Sequence, residues 1–157
     1  MLISFDKQTI EFNVAENRLL AELLPNKVEL GLVGVEEVER ALNNPIGSDR
    51  VENLVNVGDK VCIITSDITR PMPSKVCLPP LIKRLNDAGI PDKDITIVFG
   101  LGSHRNHTKD EMIYLVGEEI YNRIECIDSN PEKCKRIGIT SSGTHVDILI
   151  GLLIVIS

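Results

Sequence analysis

The sequence predicts an α/β fold, Rossmann-like, with a largely parallel sheet, flanking helices and a small N-terminal β-hairpin. Two observations carry that expectation. An apolar run, Val61 to Ile64, discharges into a polar loop and then a helix-forming stretch, and Ile95 to Phe99 repeats the arrangement. The stretch between them is long enough for one crossover helix, so the unit reads as strand–helix–strand with its strands parallel. The 157 residues suffice for a single α/β domain over 1–157 that buries a real core.

Composition narrows the function classes. The formal net charge is −6 and aromatic residues are few, with no Trp. An acidic, aromatic-poor chain lacks the footprint and the stacking platforms of a nucleic-acid binder. Met1 to Asp6 lacks the basic-then-apolar pattern of a signal peptide, so a cytoplasmic location is expected. Cys62, Cys77, Cys126 and Cys134 are scattered without a C-x-x-C pair and read as small buried hydrophobes rather than a zinc site or disulfides.

In chain order, Leu2 to Phe5 and Thr9 to Asn13 flank Asp6-Lys-Gln8 and read as the hairpin. Ala15 to Leu24 places Leu19, Leu20, Leu23 and Leu24 on one helical face and ends at Pro25. Pro25 to Gly34 is linker-like, and Val35 to Leu42 is a short acidic helix closed by Asn43-Asn-Pro-Ile-Gly47. Ser48 is placed to cap another helix through Asn56, after which Gly58-Asp59 turns into the strand. Met72 precedes Pro73 and avoids the α region, so the crossover helix begins at Pro73. Pro79 and Pro80 should kink or split it, and Gly89 suits its C-terminal exit.

Thr108-Lys-Asp-Glu111 has the spacing of a capping box, opening a helix through Val116. Glu118 to Arg123 is a second short helix, and Ile124 to Ile127 another strand. Lys135 to Ile139 and His145 to Ile150 are strands joined by Thr140-Ser-Ser-Gly-Thr144. The apolar run Ile148 to Ile156 is far too short to span a bilayer and reads as a buried strand, so no membrane partner is expected.

The two strand-end loops are the candidate site, because ligands in open α/β sheets collect outside the carboxyl ends of strands. Asp67 can accept hydrogen bonds from a ribose hydroxyl or orient an imidazole. Thr69 can donate to a phosphate, and Arg70 can grip phosphate or carboxylate bidentately. The bland alternative is that Asp67 and Thr69 cap a turn while Arg70 is solvated. His104 follows Gly100-Leu-Gly102 and can serve as a general base. A surface loop histidine is the alternative there. His107, next to the helical cap, reads as structural, and His145 has no polar neighbours suggesting a site. Gly100-Leu-Gly102 is not a dinucleotide fingerprint, since Arg105 stands where the third glycine would be. His104, His107 and His145 form no recognised zinc spacing.

Taken together, Ser66-Asp-Ile-Thr-Arg-Pro-Met-Pro73 and Gly102-Ser-His-Arg-Asn-His-Thr108 resemble the N-terminal half of the nickel-dependent lactate racemase family. Asn44-Pro-Ile-Gly47 and Gly143-Thr-His-Val146 do as well, and the resemblance runs from about Leu2 to Ile148. The paired motifs D-x-T-R-P and G-x-H-R are specific in combination and order. The resemblance implies racemisation or epimerisation of a small 2-hydroxy acid by a nickel pincer nucleotide, a nicotinate-derived mononucleotide with two sulfur arms. Hydride transfer to the cofactor ring accompanies proton transfer to a histidine. By matching positions it makes Asp67, Ile68, Thr69 and Arg70 the cofactor-holding loop, Arg70 also the substrate-carboxylate ligand, and His104 one of two acid/base histidines.

The family's second histidine, its cofactor-tethering lysine and its histidine nickel ligand have no counterpart in this sequence, which therefore supplies no metal ligand. The expectation is the front half of such an enzyme, inactive as an isolated chain and without covalently bound cofactor. A complementary C-terminal half would be its partner. Homo-oligomerisation through Ile148 to Ile156 is a further expectation. The alternatives are a non-catalytic nucleotide- or carboxylate-binding module and a merely structural α/β domain.

Overall fold

A computed structural model describes residues 2–5 and 8–149. By contacts the chain forms two compact units, Met1–Gly31 and Leu32–Ser157. In the first, β1 (Leu2–Phe5) and β2 (Gln8–Glu11) form the antiparallel hairpin, with Leu2 opposite Glu11 and Phe5 opposite Gln8. The helix predicted from Ala15 to Leu24 does not form. A single 3-10 turn, Glu16–Arg18, stands in its place, and Leu20 and Leu23 are exposed. Ten residues closed by a proline are too short to hold a helix without a surface for the leucine face.

The second unit begins with α1 (Val35–Asn43), entered through Gly34 at φ +60°. The helix predicted after Ser48 is reduced to a 3-10 turn, Val51–Asn53. The Ser48 hydroxyl donates to the Asp49 carbonyl instead of capping, and the Asp59 carboxylate draws the Asn56 N–H into a tight turn at 2.7 Å. Six elements then build the sheet and its helical cover: β3 (Val61–Ser66), α2 (Ser74–Asp87), β4 (Ile95–Gly100), the helix pair α3 (Lys109–Val116) and α4 (Glu118–Arg123), and β5 (Glu125–Asp128). The strands run parallel in the order β3-β4-β5, with Val61 level with Ile95 and Phe99 level with Asp128.

Alternation along β4 sends Ile95, Ile97 and Phe99 to one face, where all three are fully buried. Leu78, Ile82 and Leu85 of α2 and Leu115, Val116 and Ile120 of α3 and α4 close over them. Of the expected kink or split at Pro79 and Pro80, the split does not occur: that packing holds α2 as one helix from Ser74 to Asp87. Gly89, at φ +96°, ends α2 in a Schellman arrangement: its N–H meets the Asn86 carbonyl, and the Ile90 N–H meets that of Leu85. Arg84 of α2 reaches Glu39 of α1 at 2.7 Å and Glu52 of the 3-10 turn at 3.3 Å, tying both to α2.

β6 (Cys134–Ile139) and β7 (His145–Leu149) form a separate antiparallel hairpin with an irregularity between Arg136 and Gly138. The predicted continuation of this last strand falls in residues 150–157, outside those described. All four cysteines are free thiols; burial raises the Cys62 pKa and pushes that of Cys126 up to about 11. Among the described residues no helix is long and apolar enough to cross a membrane.

Candidate functional site

Three parallel strands end side by side, so the residues leaving β3, β4 and β5 meet along one edge. The exit of β3 is pinned at both ends. The Met72 N–H donates to Ser66 Oγ at 2.9 Å, and the hydroxyls of Thr65 and Ser74 pair at 2.7 Å in the buried region where α2 begins. Between these anchors lies Asp67, only 5% exposed. Its Oδ1 accepts from the Thr69 hydroxyl at 2.8 Å and the Thr69 N–H at 3.2 Å. Its Oδ2 is bonded to His104 Nδ1. The Thr69 hydroxyl bond, then His104, outweigh burial and hold the carboxyl below its ordinary value.

His104 stands in the loop after β4, in a turn closed by its N–H on the Leu101 carbonyl at 3.0 Å, with Gly102 in the left-handed region at φ +57°. Half its side chain is exposed. An ionised carboxylate accepts only, so the proton of this pair sits on Nδ1, and Nε2 has no hydrogen-bond partner among the described residues. Asp67, Thr69 and His104 are thus brought together, with Asp67 both closing the turn on Thr69 and bonded to the imidazole.

The same loop carries His107, whose ring is buried against Phe99, with centroids 5.0 Å apart. Its Nδ1 lies 2.6 Å from Asp128 Oδ1, and its Nε2 lies 3.0 Å from the backbone nitrogen of Ile68. Asp128 was not singled out by the sequence reading. The signal that marks Asp67, a carboxylate at the exit of an apolar strand, marks Asp128 equally well. Ser129, also missed, accepts the Leu101 N–H at 2.9 Å and joins the exits of β4 and β5.

His104 borders an open cleft of about 370 Å³ lined by Gly102, Ser103, Asn106, Ser129, Asn130 and Glu132, among others. Arg70 is exposed and, among the described residues, its guanidinium has no hydrogen-bond or ion-pair partner. It is available to an anion. His145 lies exposed on β7, and its side chain has no hydrogen-bond or ion-pair partner among the described residues. Among the described residues no three His, Cys, Asp or Glu side chains converge to hold a metal ion.

Residues 5–150 match the family described as the lactate racemase N-terminal domain. The chain is 34% identical over 146 residues to a lactate racemase of Lactiplantibacillus plantarum, covering 90% of this chain and 34% of the relative. It is 32% identical over 152 residues to one from Thermoanaerobacterium thermosaccharolyticum, covering 93% and 35%. The chain thus spans about a third of the length of the curated relatives it matches. The structure of the lactate racemase apoprotein from T. thermosaccharolyticum superposes with a TM-score of 0.76 at 29% identity, over 94% of this chain and 35% of that one. A crystal structure of a Thermotoga maritima protein, at TM-score 0.57 and 18% identity over 77% and 30%, shows a shared fold only.

Proposed function

The chain belongs to the lactate racemase N-terminal domain family, and from that premise we propose that it provides one side of the active site of a 2-hydroxy acid racemase. The observation that carries this reading is the hydrogen bond between buried Asp67 and His104 Nδ1, made in the same loop as Arg70, whose guanidinium has no partner among the described residues. Arg70 grips the substrate carboxylate or the nucleotide phosphate, both planar or branched anions suited to a guanidinium fork. His104 Nε2 takes the proton of the 2-hydroxyl as the C–O bond gains carbonyl character, and returns it when the alcohol reforms. Asp67 fixes the imidazole's tautomer and steadies the imidazolium formed in between.

The residues fit the nucleotide part of a nickel pincer nucleotide through one group: the Arg70 guanidinium suits a phosphate, while the Thr69 hydroxyl donates to Asp67 and the Ile68 N–H to His107, so that Asp67, Ile68 and Thr69 shape the loop that carries it. They do not fit its metal, because no ligand cluster exists among the described residues. When bound, such a group supplies the acceptor and donor of the Cα hydride. Inversion requires a proton carrier on each hand of the substrate. His107 has both ring nitrogens engaged and His145 lies on β7, so His104 alone serves here. The isolated chain with nickel is therefore expected to leave L-lactate uninverted. That one-base inventory also supports a second reading, a nucleotide- or carboxylate-binding module without catalysis.

Calorimetry with nicotinate mononucleotide and, separately, with L-lactate tests the site. Saturable heat weakened about tenfold or more by Arg70→Ala is expected, the loss of one charge-assisted bidentate contact. No heat with either ligand overturns the proposal. Inversion of lactate by the chain alone, followed by chiral chromatography, overturns the one-base assignment.

A further inference from the structure

We propose that His107 is a positioning residue, a neutral imidazole protonated on Nδ1 whose Nε2 accepts the Ile68 N–H and so sets the loop that presents Asp67 to His104. The backbone N–H of Ile68 can only donate. At 3.0 Å from it, His107 Nε2 must carry a lone pair rather than a proton. The ring proton is then on Nδ1, where Asp128 Oδ1 receives it at 2.6 Å. The second oxygen of Asp128 accepts the His107 backbone N–H at 2.8 Å, so one carboxylate grips both the ring and the main chain of the same residue.

Burial gives this arrangement its consequence. The His107 side chain is 1% exposed and that of Asp128 7%, so water is poorly placed to replace either partner. An apolar side chain at 107 would leave the half-buried Ile68 N–H without an acceptor. Ile68 lies between Asp67 and Thr69, the two residues that contact His104. The order Asp128, His107, Ile68 therefore ties the exit of β5 to the exit of β3 across the loop of β4. Two carboxylates at neighbouring strand ends each hold a histidine, to opposite effect. Among the described residues His104 Nε2 has no hydrogen-bond partner, whereas His107 has both nitrogens committed.

The inference rests on the proposed function only for what the loop serves; the tautomer and the clamp stand on the contacts themselves. Nitrogen-15 NMR of the 157-residue chain near neutral pH should show His107 protonated at Nδ1 alone, with Ile68 N–H coupled across the bond to Nε2. The opposite tautomer, or a doubly protonated ring, overturns it. His107→Phe keeps the packing on Phe99 but removes the acceptor, and should speed Ile68 amide exchange about tenfold or more. His107→Gln places an amide oxygen near the lost Nε2 and should restore most of that protection. Amides inside β3, such as that of Ile63, should stay unchanged in both. Unchanged Ile68 exchange in His107→Phe overturns the proposal, and should that variant fail to fold, the wild-type spectrum decides alone. The stated tautomer without calorimetric heat would defeat only the functional reading; heat with the wrong tautomer would defeat only this one.

Discussion

Asp67, leaving β3, accepts a hydrogen bond from His104 in the loop after β4, 37 residues further along the chain. The pair exists because β3 and β4 are adjacent and in parallel register, so that Ser66 stands level with Gly100 and both loops start from one line. The Thr69 hydroxyl occupies the other carboxylate oxygen and leaves the histidine a single place to bind.

Those contacts make Asp67 a source of acid sensitivity. Its folded pKa lies below the ordinary 3.8, chiefly through the Thr69 hydroxyl bond, then through His104. A depressed carboxyl stabilises the fold above its unfolded pKa, and that contribution is lost as pH falls through the folded value. The urea midpoint of the wild type should therefore drop as pH is lowered below 3.8, and Asp67→Asn should flatten that limb. Parallel wild-type and variant curves would show that the pair contributes nothing.

The capping box of α3 gives a second, independent acid limb. Glu111 is held down to about 2, first by Arg105 and then by the Thr108 N–H. Its contribution should be present above its ordinary 4.5 and decline toward pH 2, and Glu111→Gln should remove that decline. Thr108→Ala takes away the reciprocal cap on the Glu111 N–H and should cost about 1 kcal/mol in urea unfolding near neutral pH.

Much of this was legible because apolar runs and strand exits are local signals. Val61 to Ile64 and Ile95 to Phe99 announce themselves, and Thr108 with Glu111 announces the start of α3. Asp67, Thr69 and His104 stood out as polar residues following such runs. The leucines of 19–24 misled because spacing defines a face but not a surface to receive it. Ser48 misled because a capping residue is also a turn residue, and the Asp59 carboxylate closes a turn instead. Asp128 carries the same strand-exit signal as Asp67, but its partner His107 is reached only when β5 is laid beside β4.

The exit of α2 offers a test of backbone geometry apart from the site. Gly89 sits at φ +96°, and a Cβ added there would lie 2.8 Å from Val57 Cγ2. Gly89→Ala should cost about 1 kcal/mol or more, from left-handed strain plus that contact. Val57→Ala in the same chain should recover the contact part and leave the strain. A double-mutant cycle on urea midpoints separates the two, and full recovery would mean that the φ angle is relaxed in the variant.

Phe99 joins the core to the site and tests whether the two are mechanically linked. It is fully buried beneath the sheet's exit edge, with its ring 5.0 Å from that of His107 at 59°. Phe99→Ala should destabilise by about 3–5 kcal/mol through lost transfer energy and the cavity left behind. Phe99→Leu keeps most of the volume and should cost far less. If His107 is held by Asp128 and Ile68 rather than by its neighbour's ring, Phe99→Leu should leave Ile68 amide exchange close to wild type. Loss of that protection in the leucine variant would mean that aromatic packing, not the two hydrogen bonds, orients His107.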